Sequence, residues 1–557
     1  MRKGKLVFIF CLFLQLLPSV YAKEVTGEKG MVVTAHPAAS EFGLEILKSG
    51  GNAVDAAVGT ALTLGIVEPH ASGLGGGGGM LIYLHDKDSL TYINYYAQAP
   101  RLVPTNYNSS AESKTALAVL VPGTIAGLHL ALQKYGTISW QDLLTKLIAT
   151  LKNGFRVDTN FQKITLDSYD ALLKHPQTKS IYLVDDFPPD EGFIIKNSRI
   201  LHTLKKLAQY GPDIFYKGEI ADSIEAAMMK YGGGLRKSDL MSYSPVEINP
   251  VKGSYRGYEI VSAPPPQSGA AVIEILNILE FKNISTMGDY TKNISTFHFM
   301  AEAMKRGYAD RMQYLSDPDF KQIPLQALTS KQFAESRYFT IEMDRINPPK
   351  SKDTPHGDVL PYLPQSVHEL TDKEGSTTHI SIVDVQGNAV SLTQTLNHFW
   401  GSGISVCGFL LNNGMSAFSH SGSSNSILSE RQPRSTISPS MLFKDNQLSM
   451  VIGSPGAGRI ISTLVEVICN IIDFNKGAEQ ANRAPRFCSK KWAVTLPVEG
   501  RFSPKMLEQL KTMGHPIEVL GEMDLYFGGV QLILVDKNNQ LLIGSSDPRR
   551  SGIAVGY

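Results

Sequence analysis

The feature that most constrains this chain is a change of character at residue 376. Residues 346–376 are polar, carry prolines and show no period, which reads as an exposed, mobile segment. Directly after them, residues 378–384 and 389–395 alternate as strands about Gly387-Asn388, a pair suited to a hairpin turn. The run Thr377-Thr378-His379 therefore opens a strand at the end of a linker. A cut in the backbone before Thr377 would leave that strand starting with a free threonine amine.

A terminal threonine carries a nucleophile and a base in one residue. Its α-amine has a reference pKa near ~8, so at neutral pH part of it is unprotonated and can take the proton from its own Oγ. The same Oγ can first attack the carbonyl of Ser376, giving an ester that water opens, which is self-cleavage without a protease. A threonine at a strand start is by itself nearly always structural, so the weight of Thr377 comes from its surroundings.

Upstream, residues 31–34 read as a short buried strand. Pro37 leads into a helix with Phe42, Ile46 and Leu47 on one face, ending at Gly50-Gly51. Asn52 is placed to cap a second helix whose buried stripe is Val54, Val58, Ala61, Leu62 and Gly65. Residues 73–79, all glycine except Leu74, precede an apolar strand at 80–84. Such a loop needs conformations that glycine reaches cheaply, or close approach of another backbone. The middle, 125–345, reads as mostly helical, as at 128–134, 140–151 and 297–315, with a stiff turn at 262–269. The last third adds strands near 441–453 and 529–545, helices near 459–474 and 503–513, and a Ser/Gly-rich loop at 419–429.

With 53 basic and 52 acidic residues the net charge is +1, which gives no electrostatic case for nucleic acid or an anionic membrane as partner. Arg2, Lys3 and Lys5, the apolar run 6–17 broken only by Gln15, then Pro18 and Val20-Tyr21-Ala22 read as a secretory signal over residues 1–22. Its apolar core of about a dozen residues is short of the ~20 that span a bilayer. No later stretch is long enough, so the mature chain is expected outside the cytoplasm, in the periplasm or extracellular space, without an integral membrane segment. Its three cysteines, Cys407, Cys469 and Cys488, lack metal-type spacing and are expected to be buried free thiols. His36 and His70 stand isolated, and residues 73–79 lack the Gly-Lys-Ser/Thr ending of a phosphate loop. No metal or cofactor is expected.

The surroundings of Thr377 resemble a known family. Thr377-Thr378-His379, Gly387-Asn388, Val390, Thr393, Thr395, Leu396, Asn397 and Gly401 fall at the spacing of the small-subunit start of γ-glutamyltranspeptidases. The resemblance covers nearly the whole mature chain. It includes Gly51-Asn52-Ala53-Val54-Asp55, Val67-Glu68-Pro69-His70-Ala71-Ser72-Gly73, Val121-Pro122-Gly123, Arg256-Gly257-Tyr258 and Pro264-Pro265-Pro266. It continues through Tyr308-Ala309-Asp310-Arg311, Gly453-Ser454-Pro455-Gly456, Ala484-Pro485-Arg486 and Asp547-Pro548-Arg549. The resemblance implies an α+β fold, the four-layer αββα sandwich of N-terminal-nucleophile hydrolases. It also implies a precursor divided into a signal (1–22), a large subunit (23–376) and a small subunit (377–557) that stay associated. Cleavage would fall between Ser376 and Thr377, with Thr377 the nucleophile, Thr395 orienting it and Asn397 near its amine. The N–H groups of Gly456 and Ala457 would form the oxyanion hole. The family has glycine where Ala457 stands; the N–H survives, but a positive φ would not suit alanine.

Two departures bear on the substrate. Family members hold a substrate α-carboxylate with a large-subunit arginine, and Tyr96 sits where it is expected. They hold the α-ammonium with an acid after Leu-Leu-Asn-Asn, and Ala417 sits there. Two substrate-touching serines correspond to Ser435 and Thr436. An ammonium desolvated against alanine is penalised by several kcal/mol unless paired, so substrates without it are favoured: poly-γ-glutamate interiors or glutaryl-type groups. A capsule-polymer-processing branch of the family resembles this chain well, sharing Pro-His-Ala-Ser-Gly, the glycine run and an arginine before the Ser/Thr pair, here Arg434. That branch keeps the large-subunit arginine, so this chain departs from it too. Arg434 is expected to meet a substrate carboxylate, the alternative being a solvated loop arginine. His379 is expected to pack, since its side chain alternates with that of Thr378. The partner is thus a small or polymeric γ-glutamyl substrate. Alternatives are an ordinary glutathione hydrolase, a glutaryl-type amide acylase or, in another class, an inactive binding protein. The intact Thr377, Thr395 and Asn397 argue against the last.

Overall fold

The computed structural model describes residues 24–349, 352–359, 361, 376–419, 421–491 and 494–557. The expected signal (1–22) and residues 362–375 of the expected linker lie outside the described residues. Two seven-stranded antiparallel sheets form the centre. The first runs in the order β14 (Ile553–Gly556), β2 (Met31–Thr34), β8 (Ser376–Val383), β9 (Ala389–Asn397), β3 (Gly77–Leu84), β4 (Ser89–Tyr95) and β5 (Val246–Ile248). The second runs β1 (Val25–Gly27), β13 (Leu541–Ser546), β12 (Gln531–Asp536), β11 (Gln447–Gly453), β10 (Ser440–Lys444), β7 (Tyr258–Ser262) and β6 (Val251–Tyr255).

The two-residue period of a strand sorts side chains into layers. Val32, Ile380, Ile382, Val390 and Leu392 pack against Phe42 of α1 (Pro37–Lys48) and Val58 and Leu62 of α2 (Ala53–Val67). Their neighbours Met31, Val33, Val383 and Ala389 turn the other way and meet Val261, Met441, Val451 and Ile533 of the second sheet. That sheet's far face, with Ile260, Leu442 and Ile452, packs on Ile273 and Leu276 of α3 (Gly269–Leu279) and on Leu464 and Ile468 of α5 (Ile460–Ile472). The result is a four-layer αββα sandwich. α4 (Ile294–Tyr314) lies in the second helical layer, with Phe297, Met300 and Met304 in the same core.

Local signals account for the elements near the first sheet. Asn52 Oδ1 accepts from the N–H of Val54 and of Asp55, and Asp55 accepts from the N–H of Asn52, a reciprocal cap that starts α2. The expected stripe on α2 is too narrow: every residue from Ala53 to Val67 is buried, because helices from later in the chain cover the side away from the sheet. β3 begins inside the glycine run because β9 lies directly against it. A Cβ on Gly76 would collide with the carbonyl oxygen of Thr395, and one on Gly75 with that of Leu410.

Two expectations are corrected. Residues 251–262 are strands rather than helix, a tight hairpin with Arg256 and Gly257 at φ 50° and 82°. The linker is not exposed throughout: Thr354 and Val359 are buried. Gly357 donates its N–H to Asp310 Oδ1 and accepts from Tyr314 Oη, both at 2.5 Å, and Arg337 donates to Pro355 O at 2.8 Å. Cys469 and Cys488 are buried free thiols as expected, while Cys407 is half-buried. Among the described residues no helix is long and apolar enough to cross a membrane.

Replacing Gly76 by alanine forces a methyl into the carbonyl of Thr395. We expect Gly76→Ala to lower unfolding free energy by about 1–3 kcal/mol, the usual range for overpacking a tight interior, as read by urea denaturation.

Candidate active site

The backbone is continuous through Ser376 and Thr377, and the pairing of β8 with β9 slips there. Ser376 pairs with Asn397 and Thr378 with Gln394, so Thr395 and Leu396 together oppose Thr377. This is a β-bulge, an arrangement that re-aims side chains. It brings the Thr395 hydroxyl to three partners. The hydroxyl donates to the carbonyl of Ser376, accepts from the N–H of Asn397 at 2.7 Å, and accepts from Thr377 Oγ1 at 3.3 Å. One proton and two lone pairs are all that a hydroxyl has.

Asn397 ends β9 in the left-handed region (φ 79°). Its Nδ2 donates to Asn413 O at 3.0 Å, which ties the strand end to the segment leading to Ala417. No contact of its side chain with Thr377 is seen. Thr377, Thr395 and Asn397 share a small cleft with Tyr96, Ala417, Arg434, Ser435, Thr436, Ile437 and Ala457. Its volume of about 30 Å³ holds roughly one water. Every substrate-side residue picked out from the sequence therefore lines one cleft. Gly456 stands beside it at φ 129°, and Ala457 takes φ 51°. The conformation that does not suit alanine is thus present.

Tyr96 is held by its backbone. Its N–H donates to Asn94 Oδ1 at 3.0 Å, and its carbonyl accepts from Gln432 Nε2 at 3.2 Å and Tyr243 Oη at 3.0 Å. Asn94 Nδ2 donates to Gln432 Oε1 at 2.8 Å, and Gln267 Nε2 donates to Asn94 Oδ1 at 3.1 Å. This amide chain was not anticipated from the sequence, where the three residues lie far apart.

Arg434 is not a solvated loop arginine; it is 3% exposed. Its guanidinium donates to Met312 O at 2.7 Å and Leu315 O at 3.3 Å, at the C-terminal end of α4. The partial negative charge of a helix C-terminus is a natural place for a buried cation. His379 is engaged elsewhere than Thr377: Nδ1 bonds Thr393 Oγ1 at 2.8 Å and Nε2 bonds Ser381 Oγ at 3.2 Å. Burial holds its pKa down at about 3, so it stays neutral. Glu68, not singled out as a site residue in the sequence, accepts from Thr378 Oγ1 at 2.8 Å.

A threonine on the strand of an αββα sandwich, with its hydroxyl linked through a second threonine to the preceding carbonyl, is the architecture of N-terminal-nucleophile hydrolases. The chain belongs to the family described as Gamma-glutamyltranspeptidase, whose model matches residues 39–557. It is an enzyme of the γ-glutamyltransferase and glutathione hydrolase type. It is 36% identical to the Glutathione hydrolase proenzyme of Escherichia coli (strain K12), over 96% of this chain and 93% of that protein. It is 31% identical to the Capsule biosynthesis protein CapD proenzyme of Bacillus anthracis, over 99% and 98% of the two chains. Among solved structures, a cephalosporin acylase from Bacillus halodurans matches with a TM-score of 0.85 at 27% identity, covering 96% of this chain and 97% of that one.

A left-handed alanine is strained by about 1–2 kcal/mol, partly offset in any comparison by the greater unfolded-state entropy of glycine. Ala457→Gly is therefore expected to raise stability by up to ~1 kcal/mol while keeping the backbone N–H, checked by denaturant unfolding in a Thr377→Ala background.

Proposed function

We propose that the chain is a self-processing γ-glutamyl hydrolase or transpeptidase, acting through an acyl-enzyme on Thr377, with altered γ-glutamyl specificity. The observation that carries this reading is the Thr395 hydroxyl, which joins the Thr377 Oγ to the Ser376 carbonyl that it would attack. In maturation, Thr377 Oγ adds to the Ser376 carbonyl carbon while Thr395 polarises the oxygen. The carbon–nitrogen bond breaks, the nitrogen takes the proton, and an ester links Ser376 to Thr377 Oγ. Water opens the ester, leaving a carboxylate on Ser376 and the hydroxyl on Thr377, whose amine is already free. Residues 23–376 and 377–557 then form the large and small subunits, and the signal at 1–22 directs the precursor to the periplasm or the extracellular space. The proenzyme names of the relatives support a processed precursor.

In turnover the Thr377 amine takes the proton from its own Oγ. The Oγ attacks the acyl carbon, the N–H groups of Gly456 and Ala457 hold the oxyanion, and the proton passes to the leaving amine. Water or an amine then collects the acyl group. Positioning is the task of Thr395 through its hydroxyl and of Asn397 through the backbone N–H that fixes that hydroxyl.

The cleft walls bear on the acyl group. Tyr96 and Ala417 line it without charge, and Arg434 is the cation in its lining. Ser435 and Thr436 would complete the contacts. Such walls suit an acyl group that has a carboxylate and lacks a free α-ammonium, as in poly-γ-glutamate or N-blocked γ-glutamyl amides. A second reading, a glutaryl-type amide acylase, draws on the likeness to the cephalosporin acylase and uses the same walls.

Intact-mass measurement is expected to find wild type as residues 23–376 and 377–557, and Thr377→Ala as one chain. Wild type that stays whole with full amidase activity would overturn the mechanism.

For specificity, a charge-assisted hydrogen bond is worth about 1.5–3 kcal/mol, so the missing ammonium contact corresponds to roughly ten- to hundredfold. We expect kcat/KM to favour an N-acylated γ-glutamyl amide over the free γ-glutamyl amide with the same leaving group. Ala417→Asp should reverse that order. Equal kcat/KM for the two substrates in wild type would show that another group holds the ammonium.

A further inference from the structure

The run Val67-Glu68-Pro69-His70-Ala71-Ser72-Gly73 has no task in the chemistry described so far. In the fold it is the turn that leaves α2, and it touches the chain on both sides of the 376–377 bond. Ser376 Oγ donates to His70 O at 3.5 Å, and Thr378 Oγ1 donates to Glu68 Oε2 at 2.8 Å. The same turn holds the bulged strand opposite: Leu396 N–H donates to Ala71 O at 3.1 Å, and Trp400 N–H donates to His70 O at 2.8 Å. The turn is itself closed by the Ala71 N–H bonded to Glu68 O at 2.9 Å. Ser376 and Thr378, and the chain at Leu396 and Trp400 beyond Thr395, thus all hang on Glu68, His70 and Ala71.

We propose that this turn is a clamp that registers the scissile peptide against Thr395, and that Glu68 is its positioning residue. The proposal rests on the reading that the chain cuts itself before Thr377. Glu68 acts through Thr378 and touches no reacting atom. Strand alternation makes the geometry sensible, because Thr378 turns toward the helical layer that α2 belongs to, where Ile380 and Ile382 also pack.

The carboxyl is a titrating one. Burial raises its pKa to about 7, against the lowering effects of the Arg550 charge and the Thr378 hydrogen bond, and Asp158 adds a smaller push upward. His70 Nε2 lies 3.9 Å from Glu68 Oε1, but burial among Phe161, Phe399 and Trp400 holds its pKa down at about 3. It is a neutral neighbour rather than an ion partner. His36 lies close enough to push it further that way. The groups that face Glu68 are therefore Thr378 on β8, His70 on its own turn, Arg550 between β13 and β14, and Asp158.

Above its pKa, Glu68 accepts a charge-assisted bond from Thr378, roughly twice as strong as a neutral one. Maturation is therefore faster when Glu68 is ionised and slows as pH falls through about 7.

The test follows cleavage of freshly translated precursor by intact mass across this pH range, for wild type, Glu68→Gln and Thr378→Val, with a thermal melt of each. Glu68→Gln keeps the shape but cannot ionise. It is expected to match wild type one pH unit below the midpoint and to cleave about three- to tenfold more slowly one unit above it. Thr378→Val removes the bond through which Glu68 acts, so it should cleave about three- to tenfold more slowly than wild type one unit above the midpoint and lose the wild-type midpoint. A pH profile for Glu68→Gln that parallels wild type overturns the clamp and leaves self-cleavage standing. If Glu68→Gln does not fold, Thr378→Val decides alone: an unmoved midpoint and an unchanged rate overturn the proposal. Wild type that stays uncut at every pH overturns the self-cleavage reading itself.

Discussion

The candidate site depends on one hydroxyl. Thr395 Oγ is bonded to the Ser376 carbonyl, the Asn397 N–H and Thr377 Oγ1, and has nothing further to offer. A typical hydrogen bond contributes only about 1 kcal/mol net, which is too little to bend a strand into place. The sheet has to deliver the geometry. It does so through the bulge that sets two residues of β9 against Thr377, and through a glycine run that lets β3 lie against the Thr395 carbonyl. The left-handed turn at Asn397 then ends the strand where its carboxamide meets Asn413. Every one of these features trades local ease for the placement of one oxygen.

Much of the frame was legible because it is written in periods. Alternation at 378–384 and 389–395 returns as β8 and β9, and the Asn52 cap returns as a reciprocal cap on α2. The hairpin at 251–262 was missed because its strands are five residues each and Gly253 breaks the apolar alternation. Burial of α2 on all sides was missed because the covering helices come from later in the chain. Sequence period reports one face of an element, not how many neighbours it will have.

The candidate site was legible for a different reason. Thr377, Thr395, Asn397, Tyr96, Ala417, Arg434, Ser435, Thr436 and Ala457 line one cleft, and ordered motifs rather than physics singled them out. Where physics alone had to speak, the default misled. Arginine is mostly exposed, yet Arg434 is buried against the end of α4, a partner 119 to 122 residues away. Glu68 and Thr378 are 310 residues apart, and Asn94 and Gln432 are 338 apart. A single polar residue carries no mark of so distant a partner.

These distant pairs also decide what kind of cleft this is. A family arginine replaced by tyrosine could leave a slack wall, but the Tyr96 backbone is clamped by Asn94, Gln432 and Tyr243 at once. The Arg434 guanidinium is likewise pinned on Met312 and Leu315. A mobile surface cation would give up side-chain entropy on each binding event, whereas a buried one has given it up on folding. The replaced charges and the fixed walls therefore belong together. The cleft as folded has one buried cation anchored on backbone carbonyls and an otherwise uncharged lining, all held by partners distant in the chain.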